Sequence, residues 1–540
     1  MSEGGDAGDA LGSSGDGEES DDTQKADSGA WLAVAAGTIG AFMALLDVSI
    51  VNTALPTIQG AIGADAQQAT WISTAYLVAE IVMIALAGWF SKLLGLRRFL
   101  IIATVAFIGF SIVCGLSTSL VQMVIGRLGQ GFTGGAMIPT ALTIVSTRLP
   151  PAKRPVGLAL FGFTAVSGPV FGPLLGGILT EHASWHFAFF INLPVSMLLL
   201  ALLILGLKPE KARPEMLARA DWLGMAGLTL GLGCLTVVLE EGQQAYWFAS
   251  GLIVGLTVVS VVGFVMLTIG QLTAEEPVVA LKILRQRSFL LVFLIALSVG
   301  AGLYSMLYLI PQFLSIPAGA DYNAEQAGYV VLISGLPSIM LFPLYPKIVA
   351  SIDIRIILIT GLLCFAASCF LNSDLIAQSN GSQFIMAQVL RGFGQFFTLA
   401  FLNSAATDAV TQDYAEDASG LFNAARNLGG SFGLALVATL QDRRQTFHMA
   451  RIQESISANS VLGQDYLNQL ANLPAVGSAA LGGMDRAIAT LGQEMRLQAT
   501  VMTFNDLFYV FGFVLLGVIP LVLFMKPLGQ KSGQKGKESR

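Results

Sequence analysis

Charge is what this chain has least of. Asp, Glu, Lys and Arg make up 12% of its 540 residues, against about 25% in a soluble domain. With 54% hydrophobic residues and a mean hydropathy of +0.70, that scarcity excludes an ordinary soluble protein and indicates an integral membrane protein. The net charge of -6 says little about partners, and no nucleic-acid partner is expected. Histidine is almost absent, with three residues. His182 and His186 are four apart but lack a third ligand or an HExxH pattern, so no metal site is expected. The four cysteines (Cys114, Cys234, Cys364, Cys369) all fall in apolar stretches, which argues for thiols and against a disulfide framework. No Walker-type glycine loop occurs, so ATP is not this chain's energy source. Nor does the N-terminus show the basic start and short apolar run of a secretory signal. Its first 27 residues carry nine acidic side chains and one lysine, Lys25, without an aromatic residue. Residues 1–30 are therefore expected to be a disordered acidic tail.

Apolar runs of about 20 residues occur at 31–55, 70–91, 99–117, 120–146, 155–180, 184–206, 221–240, 246–269, 288–313, 326–346, 355–373, 383–406, 417–440 and 506–525. That makes fourteen expected transmembrane helices. Basic residues fix their orientation. Lys92, Arg97 and Arg98, then Arg148, Lys153 and Arg154, fall in alternate loops, as do Lys208, Lys211, Arg213 and Arg219. Lys282, Arg285, Arg287, Lys347 and Arg355 continue the series, and 526–540 forms a basic tail, whereas the six short intervening loops hold no Lys or Arg. Both termini are thereby placed in the cytoplasm. One inner loop runs against the pattern, since Asp408, Asp413, Glu416 and Asp417 have no basic neighbour.

The RLGQGF stretch at 127–132 returns as RGFGQF at 391–396. Two related six-span units, 31–206 and 288–525, with two extra spans and linkers at 207–287, fit this offset, and parallel repeats around a midplane site are a transporter arrangement. The long outer loop, 441–505, shows helical periodicity at Met449, Ile452 and Ile456 and again at Met484, Ile488, Leu491 and Met495, with Asn472-Leu-Pro474 between. Two amphipathic helices are expected there, packed on each other or offered to a partner.

Asp47 lies inside the first span, where a carboxylate costs about 2.5–3.5 kcal/mol on insertion scales and marks a path for ions or substrate. Glu80 is a second, near the middle of span 2, where low dielectric favours its uncharged form and would let it bind and release protons. Arg127, in span 4, must meet water, an anion or backbone carbonyls. Arg391 and Arg426 are second-half counterparts, either helix-end anchors or functional. Gly429-Gly-Ser431-Phe-Gly433 matches a hydrolase elbow but lies in a membrane helix, where glycine spacing serves packing.

Four stretches together resemble the major facilitator superfamily, in its fourteen-span drug/proton antiporter branch (EmrB/QacA-like). They are LDVSIVNTALP at 46–56, GWFSKLLGLRR at 88–98, RLGQG at 127–131 and GPVFGPLLGG at 168–177. The resemblance implies an all-α membrane fold with two six-helix halves plus two central spans. It also implies a proton-coupled exporter of hydrophobic drugs or toxic compounds, not an enzyme, working by alternating access without a cofactor beyond the proton gradient. Asp47, Glu80 and Arg127 would then form one proton-handling group. Gly88, Lys92, Gly95, Arg97 and Arg98 would form a conformational motif, with Gly168, Pro169, Gly172, Pro173, Gly176 and Gly177. Asn52, Phe161, Tyr304, Tyr308 and Arg426 are candidates for the substrate cavity. The family usually carries Asp at the position of Lys92, a departure that leaves the charge relay from this loop to the other half open. The branch works in the inner membrane with a periplasmic membrane-fusion adaptor and an outer-membrane channel. A dedicated exporter of a siderophore or fatty acid, and a non-transporting scaffold or sensor, are the alternatives.

Overall fold

A computed structural model of the chain describes residues 28–150, 153–275, 277–316, 321–411, 414–455, 461–471 and 483–525. Every regular element among them is helical. The first group comprises α1 (Ser28–Ile62), α2 (Ala66–Leu94), α3 (Leu96–Gly115), α4 (Leu120–Gly134), α5 (Met137–Arg148), α6 (Arg154–His182), α7 (Phe187–Phe190) and α8 (Asn192–Gly206). Next come α9 (Trp222–Glu241) and α10 (Gly251–Thr273), then α11 (Arg287–Leu314), α12 (Ala324–Leu332), α13 (Leu336–Leu341) and α14 (Tyr345–Ser351). The chain continues with α15 (Ile354–Leu371), α16 (Gly381–Gln395), α17 (Phe401–Asp408), α18 (Ala415–Ser455), α19 (Val461–Ala471) and α20 (Gly483–Leu523).

Among the described residues, twelve helices or helix runs are long and apolar enough to cross a membrane. The fourth and thirteenth expected spans are helical too, but α4 and α5 are divided by a turn at Gly135 and Ala136, and α18 carries charge along its length. Side chains such as Val254, Val258, Val261, Val262 and Val265 on α10 point outward, as lipid contact requires.

Helices α1–α8 pack on one another as one bundle and α11–α20 as a second, while α9 and α10 form a hairpin against α2 and α18. The bundles meet through α6 against α12, and through α18 against α2 and α5. Small residues set those approaches. A Cβ on Gly177 would come within 2.7 Å of the Glu325 backbone, and one on Gly328 within 2.7 Å of Leu174 Cα.

The loop 441–505 is built differently from two separate projecting helices. α18 and α20 continue as single rods through the expected membrane boundary and pack together. Their apolar faces are only partly covered: Met449, Ile452, Leu491 and Met495 are half-buried, whereas Met484 and Ile488 are exposed. α19 lies on α20 through Leu467, Ala487 and Leu491, with Tyr466 donating to Glu494 at 2.6 Å. At the base of this stalk, Asp506 accepts from Arg444 Nε and meets His448 Nε2, both at 2.6 Å. Ile456, the turn at 472–474 and both terminal tails lie outside the described residues, although α1 already begins at Ser28, inside the expected tail.

Candidate functional site

Glycine brings the first bundle's charges together. A Cβ at Gly131 would sit 2.2 Å from Tyr76 O, and one at Gly135 2.6 Å from Glu80 O. α4 therefore lies directly on the backbone of α2, and Arg127 reaches inward across it. Its guanidinium holds Asp47 at 2.5 Å, donates to Ile72 O at 3.3 Å and stacks 4.2 Å over the Tyr76 ring. Asp47 also accepts from Asn192 at 2.6 Å and Gln130 at 3.4 Å, and Gln130 in turn donates to Ser111 at 2.8 Å. Neither Asp47 nor Arg127 has any exposure. The pair is a buried, hydrogen-bonded unit inside one bundle, with one terminal nitrogen of Arg127 left without a partner.

Glu80 is not bonded to that pair. Its hydrogen bond runs to the other bundle, where Asn427 Nδ2 on α18 donates to Oε2 at 3.1 Å. The Asn427 oxygen accepts from Tyr304 at 3.3 Å and from Arg426 at 3.3–3.4 Å. The second Glu80 oxygen is buried without a partner. The charges of Arg426, Arg127 and Asp47 all act on Glu80, so the groups share one electrostatic region although only Glu80 touches both bundles.

Sequence reasoning passed over Asn192 and Asn427, and it quoted Gln130 within RLGQG without giving it a role. Asn192 is the one amide in its apolar span, and Asn427 directly follows an intramembrane arginine, which is the signal that was available. It also missed Glu240 and Glu241 at the end of α9. Glu241 accepts from Thr70 at 3.0 Å and Thr74 at 2.7 Å, while Glu240 faces Ser431 on α18. The inserted hairpin is thereby fastened to both bundles.

The glycines at 168, 172 and 176 form a groove for α1. Added Cβ atoms would lie 2.8 Å from Leu45 Cβ, 2.1 Å from Ser49 Cβ and 2.8 Å from Ile50 O. Pro169 and Pro173 interrupt the hydrogen-bond ladder of α6 at this groove. Gly172→Ala has no room without moving α1. We expect at least a tenfold loss of transport at unchanged expression, measured as dye efflux, with overpacking of about 1–3 kcal/mol in thermal unfolding. Wild-type efflux in this variant would remove the groove from the working parts.

At the end of the bundles rich in basic residues, Gly95 has φ +79° and lies against Glu210. Glu210 accepts from Leu96 N and pairs with Arg148. Arg97 donates to Ile204 O at 3.1 Å, pinning the last turn of α8, whereas Arg98 is exposed and Gly88 half-buried. Lys92 reaches Asp417 of the second bundle at 3.9 Å, and the charge of Arg154 acts on Asp408. One acid of the loop without basic neighbours, Asp417, thus finds an ion-pair partner across the bundle interface. At the opposite end His182 meets Glu325 at 2.9 Å. Because Lys92 is 41% exposed, its pair is worth about 0–1 kcal/mol, enough to bias two conformations but not to hold the fold. Lys92→Asp should lower efflux severalfold, and Lys92→Asp with Asp417→Lys should restore it without a change in unfolding temperature. A double variant no better than the single one would sink this pairing.

Between the bundles lies a cavity of about 410 Å³. Asn52, Pro56, Pro169, Pro173, Tyr304 and Tyr308 contribute to its wall. Phe161 and Arg426 are fully buried elsewhere, Phe161 among Ala41, Leu45 and Ile84. The elbow-like glycines of α18 serve packing, since Cβ atoms at Gly429 and Gly433 would meet Leu297 O and Ala301 O at 1.9 and 2.6 Å.

Residues 37–434 match the Major Facilitator Superfamily. The chain belongs to that superfamily. Within it, the chain is an EmrB-like drug transporter rather than an enzyme. It is 30% identical over 92% of its length to the colistin resistance protein EmrB of Acinetobacter baumannii, covering 96% of that protein. Identity to the multidrug export protein EmrB of Escherichia coli K12 is 30%, over 91% of this chain and 94% of that one. The fatty acid resistance protein FarB of Neisseria gonorrhoeae is 29% identical, over 92% and 96% respectively. Among solved structures, the proton:xylose symporter XylE aligns with a TM-score of 0.55 at 14% identity, over 94% of this chain and 98% of that one. That likeness bears on the fold alone. As a major facilitator protein the chain is a multi-pass membrane transporter.

Proposed function

We propose that this transporter exchanges protons moving inward for hydrophobic compounds moving outward, by alternating access between its two bundles. One observation carries the reading: Glu80 of the first bundle is hydrogen-bonded to Asn427 of the second, at the surface the two bundles must change when access alternates. A carboxyl group there that gains or loses its proton changes the interaction between the bundles directly, so proton occupancy biases their two-state equilibrium. Asp47 and Arg127 set the field in which Glu80 works. The cavity wall of tyrosine, proline and amide side chains suits an apolar compound with a few polar groups.

Fourteen crossings, with α4–α5 as the fourth and α18 as the thirteenth, put both termini on the cytoplasmic side of the inner membrane. The Lys92–Asp417 end is then cytoplasmic and the α18–α20 stalk periplasmic. The test is a pH-gradient-driven assay in everted vesicles, in which ethidium efflux should follow an imposed gradient and stop when it is collapsed. Efflux unaffected by collapse would contradict proton coupling.

The stalk is the part suited to a periplasmic adaptor leading to an outer-membrane channel, as Met484 and Ile488 stay exposed there. Deleting about residues 455–495, which removes Met484 and Ile488, should spare vesicle transport and abolish resistance in cells; equal loss in both would place the segment in the transport core. The relation to FarB favours one second reading, export of a single amphiphilic acid such as a fatty acid.

A further inference from the structure

Arg391, the second-bundle counterpart of Arg127, is 1% exposed and donates to Ser334 Oγ at 2.8 Å. Its Nε and its other terminal nitrogen have no hydrogen-bond partner. Gln388 and Gln395 stand three residues before and four after it, on the same face of α16. Both are fully buried, and neither amide has a partner for its oxygen or its nitrogen. Ser338, one turn along from Ser334, is buried with its hydroxyl likewise unpartnered. Among the described residues no carboxylate pairs with Arg391.

The first bundle meets the same problem with an internal anion. There Asp47 takes the charge of Arg127 and accepts from Gln130 and Asn192, while one terminal nitrogen of Arg127 stays without a partner. The span of the second bundle that answers to the one holding Asp47, residues 288–313, contains no Asp or Glu. A guanidinium buried without compensation costs several kcal/mol. Water could accept its hydrogen bonds but would leave the charge standing. A small anion answers both needs, accepting from the two free guanidinium positions, the two amides and the Ser338 hydroxyl. The backbone turns into a π-helix at Phe396–Ala400, immediately after Gln395, a distortion that recurs at functional sites.

We propose that the Arg391 face of α16, with Gln388, Gln395 and Ser338, binds a small monovalent anion inside the second bundle. The anion is a chloride ion or a carboxylate group, taking the charge-balancing role that Asp47 has in the first bundle. The inference does not depend on proton coupling. It is tested on the purified full-length protein by thermal unfolding in sodium chloride, sodium formate and sodium gluconate at equal ionic strength. A further arm adds palmitate in gluconate.

Chloride or formate should raise the unfolding temperature by a few degrees, saturably, over gluconate. Arg391→Met should lose that response and be at least as stable as wild type in gluconate, because the uncompensated charge is gone. Protection by palmitate alone would assign the anion to an amphiphile's head group. Should Arg391→Met not fold, Gln395→Leu keeps the test open, with about a tenfold rise in the half-saturating chloride concentration expected from one lost hydrogen bond to a charge. Equal unfolding temperatures in all salts would mean that water completes these hydrogen bonds, and the proposal would fall. So would an undiminished chloride response in Arg391→Met.

Discussion

Glu80→Gln should hold substrate with wild-type affinity yet lose the dependence of transport on the pH gradient. The amide has the size of the carboxyl and still offers an oxygen to Asn427 Nδ2, 3.1 Å from Oε2 in the native chain. What it lacks is the ability to change charge. The bundles would still alternate, so exchange of labelled for unlabelled ethidium across a vesicle membrane should continue. Accumulation driven by an imposed gradient should fall by at least a factor of ten, the scale of one coupling event worth ~1.4 kcal/mol. Gradient-driven accumulation at the wild-type level would transfer the coupling role to Asp47.

Asp47→Asn should damage both fold and transport. It leaves the Arg127 guanidinium fully buried without its counter-charge, a change that costs about 3–5 kcal/mol when one partner of a buried pair is removed. Asn192 and Gln130, which donate to Asp47, would lose a charged acceptor at the same time. Asp47→Leu combined with Arg127→Met removes both charges, so most of the lost stability should return. Transport should not return with it, since the field around Glu80 is then set by Arg426 alone. Thermal unfolding and vesicle efflux, measured on the same preparations, separate the two effects. Wild-type efflux in the double variant would reduce the pair to a packing device.

Much of this fold could be read from the chain because membranes leave few choices. Apolar runs had to become helices, and alternating Lys and Arg had to mark one end of the bundle. The GPVFGPLLGG stretch announced close packing, and its glycines do receive α1 at Leu45, Ser49 and Ile50. Other features were invisible for physical reasons. Helices α18 and α20 continue far past their apolar stretches, because helix propagation does not stop where the surrounding solvent changes. The partner of Lys92 is 325 positions away in the chain, and that of Glu80 is 347 away. Apart from the arginine that precedes it, nothing local distinguishes Asn427 from a helix-packing amide. Glu80 had been grouped with Asp47 and Arg127 because their spans neighbour one another. Its hydrogen bond instead crosses to the other bundle, so its role depends on how the bundles meet. The isolation of Arg391 followed the same logic, since a motif repeated in sequence need not repeat its counter-ion.

The most direct test of coupling at the bundle interface needs no membrane gradient. Purified protein in weakly buffered detergent solution, mixed with saturating ethidium beside a pH indicator, should release protons to the solution as the dye binds. The Glu80→Gln variant, binding the dye equally well, should release none. Equal proton release from the wild type and Glu80→Gln would contradict the assignment of Glu80 as the group that exchanges its proton for substrate.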